Sequence, residues 1–291
     1  MIPPQFDYVR PSDLGEVLRI LKEREGEAKL LGGGYSLIPL MKLRLAQPAL
    51  LVDLRDVGGL DGIVETDDAL VIGGRATHRQ ILEHPAVAAR YPLLTDAAGL
   101  IGDPQVRNWG TIGGSVAHAD PAADWPSVLC AADATIVVRS ADGERQLPAR
   151  GFFLDPFVTA IEPAEVLTEI RIPRMNGRSG GAYEKLERKA GDFATAAAAV
   201  QLLLADDGRI KEIGIALTNV ADHALVAEAA EQRLRGAEPS EDVLAAAARD
   251  AAAATNPVAD ARGPADYKRA MAGEMTMRAL RRAVARARGE S

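Results

Sequence analysis

Three consecutive glycines, Gly32-Gly33-Gly34, followed by Tyr35 and Ser36, stand between a short strand-like run, Ala28 to Leu31, and a helix expected from Leu37 to about Leu45. This junction constrains the chain more than any other feature. Glycine permits positive φ and lets the backbone approach a ligand closely, so such a loop can turn several N–H groups toward one anion, a phosphate or pyrophosphate. Pro39 falls in the first helical turn, where a missing N–H costs little, and Pro48 closes the segment. Leu50 to Leu54 is a nearly continuous apolar run, suited to a strand buried on both faces. Strand, glycine loop, helix and strand are the order of a parallel crossover unit. The loop is no Rossmann fingerprint, because Leu37 stands where the third glycine belongs, and no Walker lysine follows it. Alone, it serves equally well as a tight turn.

A second loop changes that balance. Gln105-Val-Arg-Asn-Trp-Gly110 leads into Thr111, Ile112, Gly113, Gly114 and Ser115, and then into His118-Ala-Asp120-Pro-Ala-Ala-Asp124. Two phosphate cradles in one chain suit a dinucleotide, and point to flavin adenine dinucleotide (FAD) or a related cofactor held between subdomains.

The rest reads as mixed α/β. Leu14, Val17, Leu18 and Leu21 mark one face of a helix capped by Ser12 or Asp13 and ended by Gly26. A strand is expected at Ala69 to Gly74, a capping box at Thr77 and Gln80, a helix at Leu93 to Leu100, and strands at Thr135 to Arg139 and Glu169 to Ile172. Asn176 to Gly181 is the expected linker. A hairpin follows, Ala196 to Leu204 and Ile210 to Leu217 about Asp206-Asp207-Gly208, and then helices at Ala245 to Ala254 and Thr276 to Arg288.

Composition narrows the function. A length of 291 residues suggests two domains, each able to bury a core. With 34 Lys and Arg against 41 Asp and Glu, the net charge is −7, and no basic footprint calls for nucleic acid or an anionic membrane. Cys130 is the only cysteine, so the chain alone builds neither a disulfide framework, an iron–sulfur cluster nor a four-cysteine zinc site. With no leader pattern at the start and no long apolar run, a cytoplasmic location is expected.

Taken together, Gly-Gly-x-Ser with Leu37-Ile-Pro-Leu-Met-Lys-Leu-Arg-Leu45, the Gln105 to Ser115 run, the His118 to Asp124 run, and Tyr183-Glu-Lys-Leu-Glu-Arg-Lys-Ala-Gly-Asp-Phe-Ala194 resemble the FAD-binding medium subunits of molybdenum hydroxylases. This is the xanthine dehydrogenase family, and the likeness is greatest to its aerobic carbon monoxide dehydrogenase type. It runs from Ile2 to the last helix.

The resemblance implies an α+β fold. Residues 1–176 would form an FAD-binding domain of the vanillyl-alcohol oxidase (PCMH) type, with two α/β subdomains at about 1–57 and 58–176. Residues 177–291 would form a C-terminal α+β domain of the CO dehydrogenase flavoprotein type. By motif match, Gly32, Gly33, Gly34, Tyr35 and Ser36 would hold the pyrophosphate together with Thr111, Ile112, Gly113, Gly114 and Ser115. Ile101 would line the flavin region, Asp124 would accept a hydrogen bond from ribityl or ribose hydroxyls, and Leu167 and Lys185 would approach the ring system. Phe193 falls where relatives often carry tyrosine. No catalytic residue or metal ligand is expected.

The implied role is electron transfer, from [2Fe-2S] clusters on a small partner subunit, through FAD, to a quinone, a cytochrome or NAD. The molybdenum cofactor would sit on a large partner, in a dimer of heterotrimers, with a location in the cytoplasm or at the inner face of the membrane through a partner. Carbon monoxide is the favoured substrate of the large subunit, with N-heterocycles, purines or aldehydes as the alternative. A free-standing FAD-dependent reductase is the reading of another class, disfavoured because no independent nucleotide fingerprint or acid–base pair accompanies the loops. A non-redox nucleotide-binding module is a third.

Other residues read more simply. Lys42 and Arg44 are solvated charges, Arg107 and Asn108 anchor the second loop, and His118 hydrogen-bonds within its own loop. Trp109 and Trp125 are core or partner-facing aromatics, and Asp192 pairs with Lys189 or orients the adjacent turn.

Overall fold

A computed structural model describes residues 1–290. Ser291, the last residue of the expected C-terminal domain, lies outside the described residues.

The first segment is a three-stranded parallel sheet in which Leu50–Asp53 lies between Asp7–Val9 and Ala28–Leu31. All four residues of the central strand are buried, as a strand paired on both sides requires. Helix Leu14–Glu23, capped by the Asp13 side chain on the Glu16 N–H, packs Val17, Ile20 and Leu21 against Val52 and Leu54. The helix after the glycine loop, Leu37–Lys42, is shorter than expected, since the chain turns out at Arg44 with φ of 60°.

The second segment is a five-stranded antiparallel sheet in the order Ile63–Glu65, Ala69–Gly73, Val166–Pro173, Thr135–Ser140, Gly143–Pro148. Between its second and third strands in sequence run six helices, among them Pro92–Leu100, Pro104–Trp109, Ile112–His118 and Asp124–Ala131. Helix His78–Glu83 opens with the expected capping box, both reciprocal bonds of Thr77 and Gln80 being present.

The third segment is an antiparallel sheet in the order Arg178–Leu186, Ala196–Leu204, Ile210–Thr218, Leu225–Val226, and contains the expected hairpin. Helices Glu228–Leu234, Glu241–Ala253 and Ala265–Arg288 complete it, the last two starting earlier than the alanine pattern indicated.

One expectation is corrected at the boundary. Of the expected linker from Asn176 to Gly181, residues Arg178 to Gly181 are the start of a strand, paired with Gln201 to Leu204. Its glycines are there for proximity: a Cβ on Gly180 would lie 2.0 Å from the carbonyl oxygen of Ala283 in the long helix. The two parts also share packing. The C-terminal segment has its own cluster around Leu202, Ile215 and Leu280, but Tyr183, Ala197, Ala199 and Ala216 join Leu93, Trp125 and Leu129 in the larger one. Ion pairs reinforce that seam, with Arg150 bidentate on Glu231 at 3.0 and 2.7 Å and Arg286 on Asp96 at 2.6 Å.

Candidate cofactor cleft

Loop Gly32 to Ser36 leaves the carboxyl end of strand Ala28–Leu31, the end of a parallel sheet where ligands bind. Gly34 takes φ of 82°, open to glycine without strain. Among the described residues, no acceptor lies within hydrogen-bond distance of the N–H groups of Gly32, Gly33, Gly34, Tyr35 or Ser36. Five successive free donors fit an anion with several oxygens.

The second loop is built against the first. A Cβ on Gly33 would lie 2.0 Å from the carbonyl oxygen of Trp109, and one on Gly32 would lie 3.0 Å from Thr111 Oγ1. Here the N–H groups are largely committed: Ile112 donates to Ala76 O at 3.0 Å, Gly113 to Gly74 O at 2.9 Å and Gly114 to the capping Thr111 Oγ1 at 3.1 Å. Ser115 N–H closes the first helical turn on Thr111 O at 3.0 Å. The glycines of the second loop therefore permit close packing rather than forming another row of free donors. Leu167 belongs to the same stack, since a Cβ on Gly74 would come within 2.4 Å of its carbonyl oxygen.

A buried polar cluster lies on the other side. Asp124 Oδ1 accepts from the Tyr183 hydroxyl at 2.6 Å, and Oδ2 accepts from Lys185 Nζ at 3.1 Å. Lys185 also donates to Leu100 O at 3.1 Å and lies 3.5 Å from Glu187 Oε2. Burial pushes the Asp124 carboxyl upward against the pull of Lys185, and burial with the Asp124 charge pushes the Tyr183 hydroxyl well above its ordinary value. The cluster adjoins Ile101 through Leu100 O, and Arg107 Nη1 holds the carbonyls of Ile101 and Gly102 at 3.0 and 3.1 Å, the anchoring expected of it. A Cβ on Gly191 would meet Gly102 O at 2.7 Å, which places the turn leading to Phe193 beside Ile101. Phe193 is 47% exposed under the Arg262 guanidinium, 5.7 Å from the ring centroid. Asp192 pairs with Arg188 and Arg262 and not through its side chain with Lys189, whose carbonyl instead takes the Asp192 N–H.

The expected residues thus fall into two groups, the glycine loops with Leu167, and Ile101, Asp124, Lys185 and Phe193. Sequence reasoning missed Arg55, Arg75 and Thr77, which line a cleft of about 140 Å³ with Gly32, Asn108, Trp109 and Thr111. Arg55 follows Asp53 at the carboxyl end of a parallel strand, a position that could have singled it out. Also missed was His78, whose Nδ1 accepts from Trp125 Nε1 at 2.9 Å; burial, helped by the Arg107 charge, pushes its pKa down to about 4. The His118 ring packs on Phe157, with centroids 5.0 Å apart, in place of the hydrogen bond expected within its loop. Trp109 is 54% exposed, whereas Trp125 is fully buried.

Residues 4–175 match the FAD binding domain in molybdopterin dehydrogenase, and residues 181–283 match the CO dehydrogenase flavoprotein C-terminal domain. The chain belongs to this molybdopterin dehydrogenase flavoprotein family. It is 47% identical to the carbon monoxide dehydrogenase medium chain of Hydrogenophaga pseudoflava, over 98% of this chain and 99% of that one. It is 44% identical to the corresponding chain of Afipia carboxidovorans, over 99% and 100%. Among solved structures it matches carbon monoxide dehydrogenase from Hydrogenophaga pseudoflava with a TM-score of 0.96 at 49% identity, covering 98% of this chain and 99% of that chain. The flavoprotein fold and FAD as the cofactor follow from that membership. The loop fits the group, because five free N–H groups beside two arginines suit a doubly charged pyrophosphate.

Proposed function

We propose that this flavoprotein is the electron-transfer subunit of an aerobic carbon monoxide dehydrogenase. In this reading a large molybdenum-containing partner oxidises carbon monoxide with water to carbon dioxide, two protons and two electrons. A small [2Fe-2S] partner delivers the electrons to this chain, which passes them to a quinone, a cytochrome or NAD. The observation that carries the reading is full-length likeness, 44 to 47% identical, to two carbon monoxide dehydrogenase medium chains.

Bound FAD supplies the chemistry of accepting electrons singly and releasing them in pairs. The chain's own residues bind and orient it. Gly32 to Ser36 present donors to the pyrophosphate, Thr111 to Ser115 fix that loop from behind, and Leu167 backs the contact. Ile101, Lys185 and Phe193 would border the isoalloxazine, and Asp124 would accept from a cofactor hydroxyl while holding Lys185 in place. Phe193, half-exposed, would stand at the edge of the flavin open to an acceptor.

Among the described residues no helix is long and apolar enough to cross a membrane. By likeness to the family, we place the complex in the cytoplasm as a dimer of heterotrimers, reaching the membrane's inner face through a partner. Affinity purification from native cells, with mass spectrometry and assays for FAD, iron, molybdenum and CO-dependent dye reduction, tests this. A small and a large partner with one FAD per copy and CO-dependent reduction are expected. Reduction by an N-heterocycle, a purine or an aldehyde, but not CO, would move the assignment to another hydroxylase. A lone yellow protein reduced by NADH or NADPH would replace it with a free-standing reductase.

A further inference from the structure

The cleft between the loops carries a charge pattern that the glycine cradle does not account for. Arg75 Nη1 donates to Arg55 O at 2.7 Å, which fixes the guanidinium plane. On its other edge Nε is buried without a partner, and among the described residues Nη2 reaches no acceptor either. A buried N–H left unpaired costs free energy that a ligand oxygen would recover. Two parallel N–H groups on one guanidinium edge match two oxygens of a phosphate. Arg55 is held nearby, its guanidinium 5.3 Å from the Trp109 ring centroid and 3.6 Å from Asp53 Oδ2. Asp53 is already engaged by the Tyr8 hydroxyl at 2.6 Å and by Arg55 N–H at 2.9 Å, so it offsets only part of the paired positive charge. Both arginines line the same cleft as Gly32 and Thr111.

We propose that Arg75, through its Nε–Nη2 edge, and Arg55 bind the pyrophosphate of FAD, making the site select the phosphate-bearing cofactor over the bare isoalloxazine. This rests on the reading of Gly32 to Ser36 as the cofactor cradle. In a chain of net charge −7 the arginine pair supplies positive charge where a dianion must enter.

The test is titration of FAD and of riboflavin into the full flavin-free chain, followed by flavin fluorescence at low and high salt, with thermal melts of each variant. Arg75→Gln should weaken FAD binding about 10- to 100-fold, make it less salt-dependent and leave riboflavin binding unchanged. Arg75→Lys should recover part of the loss, since an ammonium keeps the charge but not the planar edge. Wild-type FAD affinity and salt dependence in Arg75→Gln, with Gly33→Ala impaired, would overturn the arginine assignment and leave the cradle standing. Equal losses for FAD and riboflavin with a lowered melting temperature would also overturn it, by making Arg75 structural. Wild-type FAD affinity in Gly33→Ala as well would overturn the cradle itself.

Discussion

The indole Nε1 of Trp125 donates to Nδ1 of His78 at 2.9 Å inside the main core, and His78 also tethers the second loop through its N–H on Gly110 O at 3.1 Å. The bond needs a neutral imidazole, and the His78 pKa of about 4 keeps it so. Above about pH 6.5 both folded and unfolded chains hold His78 neutral, whereas between there and about 4 only the unfolded chain takes up the proton. Stability should therefore fall as pH drops through that window, by about 3 kcal/mol in full from this group. Urea unfolding at stepped pH values measures the slope, and His78→Gln, which keeps an acceptor without titrating, should flatten it.

Gly33 is closed to any side chain by the Trp109 carbonyl, and Gly113 by that of Gly74, 2.4 Å from its Cβ position. Gly33→Ala and Gly113→Ala should each force a loop to shift, costing about 1–3 kcal/mol of stability. FAD affinity should fall with both. Paired melting curves and fluorescence titrations check the two effects separately.

The Asp124 and Lys185 pair is buried on both sides, with side-chain exposures of 7% and 1%. Asp124→Ala should cost about 3–5 kcal/mol by stranding Lys185, less whatever Glu187 recovers as a second carboxylate. Lys185→Met combined with Asp124→Asn should cost less than the sum of the single changes. Denaturant midpoints of wild type, Asp124→Asn, Lys185→Met and the double variant close that cycle, and FAD retention is expected to fall most in the separate Asp124→Ala chain.

Burial pushes the Cys130 thiol up to about 12. The native protein should resist iodoacetamide at neutral pH and take up one equivalent on unfolding, because the thiolate is the reactive form. Mass spectrometry before and after urea reads this directly.

Much of the fold was legible because its signals are local. The capping pair Thr77 and Gln80, the apolar run from Leu50 and the hairpin turn at Gly208 each reflect short-range chemistry that tertiary contacts reinforced. The glycine loops were legible as loops, but the sequence did not show that Gly32 to Gly34 keep free donors, with Gly33 also admitting the Trp109 carbonyl, whereas Gly113 admits a neighbour while its own N–H is already bonded. The same ambiguity turned the strand start at Gly180 into an apparent linker. Arg75 and His78 were missed because their partners, Arg55 and Trp125, come from distant segments, and no spacing in the sequence encodes such a meeting.

The tight seat of Gly180 on the Ala283 carbonyl bears on ancestry as well as stability. That contact joins two elements of the C-terminal segment, whereas Gly214 makes the same kind of seat against the carbonyl of Ala131, 2.0 Å from its Cβ position, and there backbone touches backbone across the boundary between the two matched regions. Surfaces fitted that closely do not trade freely between cousins. A chimera joining the first part of one such protein to the last part of another would have to bring a glycine at 214 together with a helix end placed as Ala131 is, so these two regions are fit to be passed on together rather than shuffled.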